Sequence, residues 1–419
     1  MILVPFKPKD EIMKICLVHN SYEQRGGEDV VFEQERANLI RGGHDVIVYH
    51  RSNSEIKNMA PLTRISLVKN SVWSTDTRRE FSELLDRESP DLVHIHNTFF
   101  MISPSIYSAC RERGIPVVQT LHNFRWICPA FTLYRDGNVC EDCLNGSLWN
   151  GICHGCYRGS RAATATVALI LGWHRFMKTW DQCVDCYIAL TKFSREKFIA
   201  AGFQPGKIVV KPNFIEIDPG SRSQAGDYAL YVGRLSEEKG LDTLLRAWER
   251  LPIQYSLRVI GDGPERTALE GQVRERNISN VNFRGFLPRP ETIAAIKRAR
   301  FVVVPSKWYE GFPMVIAEAM ACGTPVICSR LGAMKEIVAD RGTGLHFTPG
   351  DSKDLARTAA WAWNHPVEMS EMGHAARREY ERRYTAERNY DLLMEIYGKA
   401  LGRAHDISRA IMTEQPARP

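Results

Sequence analysis

No apolar run in this chain reaches the roughly 20 residues that a membrane-spanning helix needs. The longest, Ala162–Trp173, is flanked by Arg161 and Arg175 and is too short. The amino terminus, Met-Ile-Leu-Val-Pro-Phe-Lys-Pro-Lys-Asp, lacks a basic segment followed by an apolar one. No secretory signal peptide is therefore read, and a cytoplasmic chain is expected. No tandem repeat of fixed short period is present, which argues against a repeat architecture. Charge of one sign is not in large excess: 55 Lys and Arg against 49 Asp and Glu leave +6 over 419 residues. That suits an anionic partner such as a lipid surface or a nucleotide diphosphate, and gives no argument for nucleic acid. With 44% hydrophobic and 25% charged residues, neither a wholly disordered nor a collagen-like chain fits. The length predicts two or three domains.

Two series of alternating strand and helix signals are present. In the first, Lys14–Asn20, Asp45–Arg51, Asp91–Asn97, Pro116–Asn123, Cys186–Thr191 and Lys207–Pro212 read as strands. Gly26–Ile40, Ser103–Arg113 and a long apolar Arg161–Asp181 read as helices. Residues 1–12 read as a flexible extension before Met13, itself a candidate start. Residues 216–227 are a turn-rich linker. The second series has strands at Tyr228–Val232, Ser256–Ile260, Val281–Arg284, Phe301–Pro305 and Pro325–Ser329, with helices at Leu241–Arg250 and Pro264–Asn277. Residues 351–403 read as helical and 405–419 as a disordered tail. The expected division is 13–215, 216–385 and a final helix at 386–404. Two such series imply two parallel sheets covered on both faces, with ligands outside the carboxyl ends of the strands and a cleft between the domains.

Three strand-to-helix turns of the second series carry chemistry. Tyr231-Val-Gly-Arg-Leu-Ser-Glu-Glu-Lys-Gly240 delivers Gly233, Arg234 and Lys239 at a helix start. Cations beside a helix amino terminus make a phosphate site; the alternative is a surface loop with two solvated bases. Ile260-Gly-Asp-Gly-Pro264 gives close backbone approach at Gly261 and Gly263. In Pro305-Ser-Lys-Trp-Tyr-Glu-Gly-Phe-Pro-Met-Val-Ile-Ala-Glu, Glu310 and Gly311 precede a helix and Glu318 lies inside it. Free amides at Phe312, Met314 and Val315 can face a phosphate. Apolar neighbours on both sides of Glu318 place it toward a polar pocket.

These motifs, in this order, resemble the family 4 retaining glycosyltransferases of the GT-B fold, two facing Rossmann-like domains. The resemblance runs from about Met13 to Arg403. It implies transfer of a sugar from a nucleotide-diphosphate sugar with the anomeric configuration retained. By analogy Arg234 and Lys239 bind the donor diphosphate, Glu310 the sugar hydroxyls and Glu318 the ribose. Many members carry Gly where this chain has Pro313, which removes one amide donor. The family's Gly-Gly turn corresponds to Gly26 and Gly27, near the donor phosphate and sugar, and its catalytic-site His to His122. A lipid-linked or glycan acceptor, a surface-polysaccharide pathway and a place at the inner face of the cell membrane follow by the same analogy. A GT-B epimerase and a catalytically silent nucleotide-sugar-binding protein are the rival readings.

Beside the motifs, Glu28 and Asp29 read as helix-capping acids. His94 and His96 alternate on a strand and share one face, where a polar strand end lining the cleft is at least as good a reading as a ligand role. Five of the eleven cysteines, Cys128, Cys140, Cys143, Cys153 and Cys156, form a cysteine-rich insert in the first domain. Two Cys-x2-Cys hooks can close one structural zinc site. The preferred ligands are Cys128, Cys140, Cys143 and Cys156, with Cys153 replacing Cys128 as the alternative; His154 is also available, and free thiols are the structural alternative. Cys183 and Cys186 are expected only to pack. No Asp-x-Asp pair occurs among the cleft motifs, and no catalytic metal is expected. Ala162–Trp173, apolar nearly all round, either packs in the core or lies in a lipid interface.

Overall fold

A computed structural model of the chain describes residues 12–23, 26–58, 70–144, 147–224 and 226–413. Most of the 1–12 extension lies outside the described residues. The first series forms β1 (Lys14–Ser21), β2 (Asp45–Ser52), β3 (Leu92–Ile95), β4 (Val117–Leu121), a hairpin of β5 (Tyr134–Arg135) and β6 (Asn138–Val139), β7 (Cys186–Ala189) and β8 (Ile208–Val210). Apart from the hairpin these strands make a parallel sheet in the order β2-β1-β3-β4-β7-β8. The second series forms β9 (Tyr228–Val232), β10 (Ser256–Ile260), β11 (Val281–Gly285), β12 (Phe301–Val304), β13 (Val326–Ser329) and β14 (Gly344–Phe347). Its parallel order is β11-β10-β9-β12-β13-β14. Both are Rossmann-like. The six inner residues of β1 and all four of β12 are buried, as strands covered on both faces must be.

Five helices position the site: α1 (Gly27–Arg41), α2 (Arg161–Phe176), α3 (Leu241–Trp248), α4 (Met314–Ala321) and α5 (Ala386–Thr413). The last of these returns from the second domain to the first. Leu393, Met394, Ile396, Tyr397 and Ala400 pack with Met13, Ile15, Leu17, Phe32 and Val118 in one buried cluster. Each such aliphatic side chain contributes about 1.5–3 kcal/mol on full burial. The helical backbone of α5 continues to Thr413, past the expected end at 404, so 405–413 is helix where a disordered tail was expected; 414–419 lies outside the described residues.

Three differences from the sequence reading have local causes. The expected helix 161–181 is two helices, because Lys178 is left-handed (φ 51°) and starts a separate turn at Thr179–Cys183. β14 contains His346 and was not anticipated as a strand; it is the last strand of the second sheet. Ala162–Trp173 is not wholly a core helix: Val167, Ala168, Ile170 and Leu171 are buried while Leu169 and Trp173, and just beyond them Phe176 and Met177, are exposed.

Candidate active site

The carboxyl ends of the two sheets approach each other at His122 and Gly311. His122 follows β4 directly, and Gly311 lies in the turn between β12 and α4. A side-chain carbon at Gly311 would stand 2.5 Å from the His122 carbonyl oxygen, so only glycine permits this approach. Glu336 of the second domain accepts from the amides of Lys192 (2.9 Å) and Phe193 (2.8 Å), the first turn of a first-domain helix.

On the second sheet, Lys239 Nζ donates to Glu310 Oε1 at 2.7 Å, and the Ser306 hydroxyl donates to the same oxygen at 2.7 Å. Burial alone raises the Glu310 carboxyl; Lys239 and Ser306 outweigh it and hold the group below its usual range. Arg234 is exposed and has no ion-pair partner among the described residues. Glu318 stands in the second turn of α4, 3.6 Å from Arg289 Nη2, and burial raises its carboxyl. α4 opens at Met314 after Pro313, so the amides of Met314 and Val315 emerge at its amino terminus. Phe312 is buried against Tyr384. The glycines of the 260–264 turn have a packing cause. A side-chain carbon at Gly261 would stand 1.9 Å from the Gly233 carbonyl oxygen, and one at Gly263 2.3 Å from that of Leu235. The loops are also joined by Leu235 N donating to Asp262 O at 2.9 Å. Gly263 thus lets the Arg234 loop lie down on its neighbour.

On the first sheet, Gly26 precedes α1, and neither Gly26 nor Gly27 would bring a side-chain carbon into a close contact. Asp29 caps the helix as expected, accepting from Gly26 N at 2.7 Å, and also bonds His19 Nε2 at 2.8 Å. Glu28 does not cap. It accepts from Tyr22 OH (3.0 Å) and Asn123 Nδ2 (3.3 Å), and burial raises its carboxyl. Arg125, buried between the rings of Tyr22, Phe99 and Phe131, bonds Asn97 and Tyr22. Sequence reasoning missed Tyr22, Asn123 and Arg125; the available signal was their place after β1 and β4, at the ligand-binding ends of the strands. His94 and His96 share a face, as their alternation requires, but both are sealed from the cleft. His96 Nδ1 lies 2.9 Å from His122 Nε2.

Two adjoining family profiles match the chain between residues 25 and 379. One, described as Glycosyltransferase Family 4, covers residues 25–219; the other, Glycosyl transferases group 1, covers 216–379. The chain is a glycosyltransferase, with a Family 4 domain followed by a group 1 domain. This glycosyltransferase is 37% identical over 132 residues to an uncharacterized glycosyltransferase of Methanocaldococcus jannaschii, a match spanning 31% of this chain and 37% of that one. It is 29% identical over 181 residues to the O-antigen chain mannosyltransferase C of Escherichia coli, spanning 42% of this chain and 48% of that one. The matched stretches are thus less than half the length of either relative. In fold, the glycosyltransferase is similar to Anabaena HepE, solved in complex with UDP. The TM-score is 0.64 at 20% identity, over 91% of this chain and 99% of that one. That likeness makes the two Rossmann-like domains a GT-B arrangement.

The segment between β4 and α2 holds the clustered cysteines. Cys128 and Cys143 are buried, Cys140 and Cys156 half-buried, and Cys153 exposed. Burial, and then the nearby thiols of Cys128, Cys140 and Cys156, push the Cys143 thiol up to about 11. Burial raises Cys128 too, opposed by the backbone amides of Leu133, Ala130, Thr132 and Phe131. The segment reaches the second domain: Tyr134 OH donates to Glu237 Oε1 at 3.3 Å, and Tyr309 OH to Glu141 Oε1 at 2.7 Å. Cys183 and Cys186 are buried. Among the described residues, one set of potential metal ligands brings its donor atoms within 4.8 Å of one another, namely Glu35, His94 and His96.

Proposed function

We propose that the chain moves a sugar from a nucleotide-diphosphate sugar to a hydroxyl of a glycan acceptor, with retention of configuration, in the assembly of a cell-surface polysaccharide. The observation that carries this is the convergence at one cleft of Lys239 paired with Glu310, the uncommitted Arg234, the amino terminus of α4, and His122 across from Gly311. As the glycosidic bond breaks, the departing diphosphate gains negative charge. Arg234, Lys239 and the amides of Met314 and Val315 meet that charge, with Gly233, Gly263 and Gly311 allowing the loops their close approach. Glu310 holds sugar hydroxyls, Glu318 the ribose, and the open backbone at Gly26 and Gly27 admits the donor. The acceptor attacks on the face from which the diphosphate leaves, and the leaving phosphate takes its proton. The UDP of the HepE complex supports a nucleotide-sugar donor, and the name of the E. coli relative supports the polysaccharide pathway. In this reading the acceptor-side domain is 13–215, the donor-side domain 216–385, and α5 clasps the two.

The decisive experiment is a thermal-shift screen of nucleotide sugars, since a ligand that binds the folded chain raises its apparent stability. One donor should stand out, and Arg234→Ala should remove its effect. Transfer to lipid-linked glycan with the product anomer read by NMR then tests retention; an inverted product overturns it.

Two further features belong to this proposal. A structural zinc held by Cys128, Cys140, Cys143 and Cys156 is supported by the partial burial of these thiols, by the amides around Cys128 and by the exposure of Cys153. The ion would supply a fixed cross-link, holding Tyr134 and Glu141 against the Lys239 and Glu310 loops. Elemental analysis should give one zinc per chain, lost on Cys140→Ser plus Cys143→Ser. Attachment to the inner face of a membrane is supported by exposed Leu169, Trp173, Phe176 and Met177 on α2 and just beyond it, beside exposed Lys178. Flotation with anionic liposomes at low salt should carry the chain, and failure to do so leaves α2 a core helix alone.

A further inference from the structure

Behind the cleft, the first sheet seals a polar cluster that the transfer chemistry does not touch. It takes Glu35 from α1, His94 and His96 from the end of β3, Lys211 after β8, and Asn389 and Tyr397 from α5, all buried. Lys211 Nζ donates to Glu35 Oε2 at 2.7 Å and to Asn389 Oδ1 at 3.1 Å. Glu35 Oε1 faces His94 Nδ1 at 3.1 Å and His96 Nε2 at 3.2 Å. His94 is already engaged, through Nδ1 with the Tyr397 hydroxyl and through Nε2 with that of Thr120, each at 2.8 Å. His96 Nε2 and Glu35 Oε1 have no well-aligned hydrogen-bond partner, so the two are left to satisfy each other.

Glu35, His94 and His96 have the compactness of a metal cradle. Lys211, however, already supplies a cation's charge to the carboxylate, and both nitrogens of His94 are occupied. A hydrogen-bonded chain accounts for the cluster better than an ion does.

We infer that Glu35 and His96 are positioning residues for His122: the carboxylate, paired with Lys211, fixes His96 as its Nε2–H tautomer, whose bare Nδ1 accepts from His122 Nε2–H. The inference rests on the reading of His122 as part of the transfer site. The proton order follows from elementary electrostatics. An imidazole lone pair facing a carboxylate lone pair at 3.2 Å is repulsive, so His96 must carry its proton on Nε2. Between His96 Nδ1 and His122 Nε2, one proton is then needed, and only His122 can bring it. The ring of His122 is thereby held in plane with Nδ1 left unprotonated, able to accept from a sugar hydroxyl. Burial and the neighbouring His96 and His19 keep His122 neutral, and burial with His94 depresses His96 to about 3.

The test uses histidine side-chain 15N NMR of the full chain, with His96→Asn and His96→Leu. The asparagine Oδ1 falls near the position of the imidazole Nδ1 and still accepts; leucine fills the space and cannot. His122 should be the Nε2–H tautomer in the wild type and in His96→Asn, and a tautomer mixture in His96→Leu. Release of UDP from UDP-glucose, or of diphosphate from whichever donor the screen selects, should fall about ten- to a hundredfold in His96→Leu. In His96→Asn it should stay within about threefold, although thermal unfolding should rank leucine the more stable. His122 found as Nδ1–H in the wild type, or turnover that follows stability and leaves His96→Leu fully active, overturns the inference. If no donor is turned over at all, the transferase reading fails, while the wild-type tautomer still decides this one.

Discussion

Around Arg234 and Lys239 the second sheet presents its charges to the cleft. Arg234 is exposed and Lys239 pairs with a carboxylate that can exchange it for a substrate. Around His96 the first sheet does the reverse: Glu35, Lys211, His94 and His96 are sealed and pair with one another and with neighbouring protein groups, among them Asn389, Tyr397 and His122. An exposed donor does its work on a ligand and adds little to folding. A buried one must be satisfied at all times, and its loss falls on the fold. The two regions should therefore respond in opposite ways to substitution.

The largest effect is expected in the sealed region. Lys211→Met leaves the Glu35 carboxylate buried without its cation, which typically destabilises by about 3–5 kcal/mol. Adding Glu35→Gln removes the orphaned charge and should restore most of that loss. Urea unfolding of the two variants decides the matter. A double variant as unstable as the single one would mean that the pair is not the origin of the effect.

Arg234→Ala is the matching experiment on the open side. Losing one preorganised donor to a developing oxyanion costs on the order of a hundred- to a thousandfold in turnover. Because the exposed Arg234 side chain has no ion-pair partner among the described residues, and its carbonyl bond from Tyr231 survives the substitution, the variant's melting temperature should stay at the wild-type value. Lys239→Ala should lose rate to a similar degree and stability as well, since Glu310 is left buried. An Arg234→Ala chain that melts early would erase the contrast between the regions.

The same contrast sets what the sequence can disclose. Arg234, Lys239, Glu310 and Glu318 lie in short segments leaving two strands of one sheet, so local sequence displays them. Tyr228–Val232 and Ser256–Ile260 were legible to the residue, the first as an apolar run and the second by the alternation of buried Leu257 and Val259 with half-buried Ser256 and Arg258. The sealed cluster is assembled across distance. Glu35 and Lys211 are 176 residues apart, and His94 and Tyr397 303 apart. No local pattern announces such pairs, so His94 and His96 could be put on one face and not given a partner. Glu28 failed for the same reason. An acid in a first helical turn reads as a cap, yet its side chain meets Asn123, 95 residues on. The break at Lys178 carries no Gly or Pro to mark it.

A smaller effect is expected on stability against pH. His96 and His122 are depressed in the fold, so the unfolded chain binds protons that the folded chain refuses. Stability is fully present above about pH 6.5 and declines as pH falls toward 3, by up to about 1.4 kcal/mol per unit for each such group. His44, His174 and His346, lowered by burial, act in the same direction. Glu35 and Glu310 are lowered and add a loss only below about 4.5. Glu28 and Glu318 are raised and oppose it near their own range. In the interval from pH 6.5 to 5.5 the depressed histidines pull stability down as pH falls, against the raised carboxyls of Glu28 and Glu318. Urea midpoints across it should slope less steeply in His96→Asn than in the wild type; equal slopes would remove His96 from the account.

The smallest expected effect is that of a chelator, and it tests the open side most directly. A departing diphosphate needs its charge met by a metal or by fixed protein donors. Enzymes that use a metal hold it with acidic residues close together beside the donor. Here the acids near the proposed diphosphate are engaged otherwise: Glu310 accepts from Lys239 and Ser306, and Glu318 faces Arg289. In the proposed mechanism the positive charge comes from Arg234, Lys239 and the start of α4. Brief EDTA treatment should leave turnover within about a factor of two of the untreated enzyme, against the hundredfold or more expected for Arg234→Ala. Prolonged chelation is a different experiment, since it would reach the proposed structural zinc and loosen the insert that bridges to Glu237 and Tyr309. Activity abolished by brief EDTA and restored by magnesium or manganese would transfer the leaving-group role from these side chains to an ion.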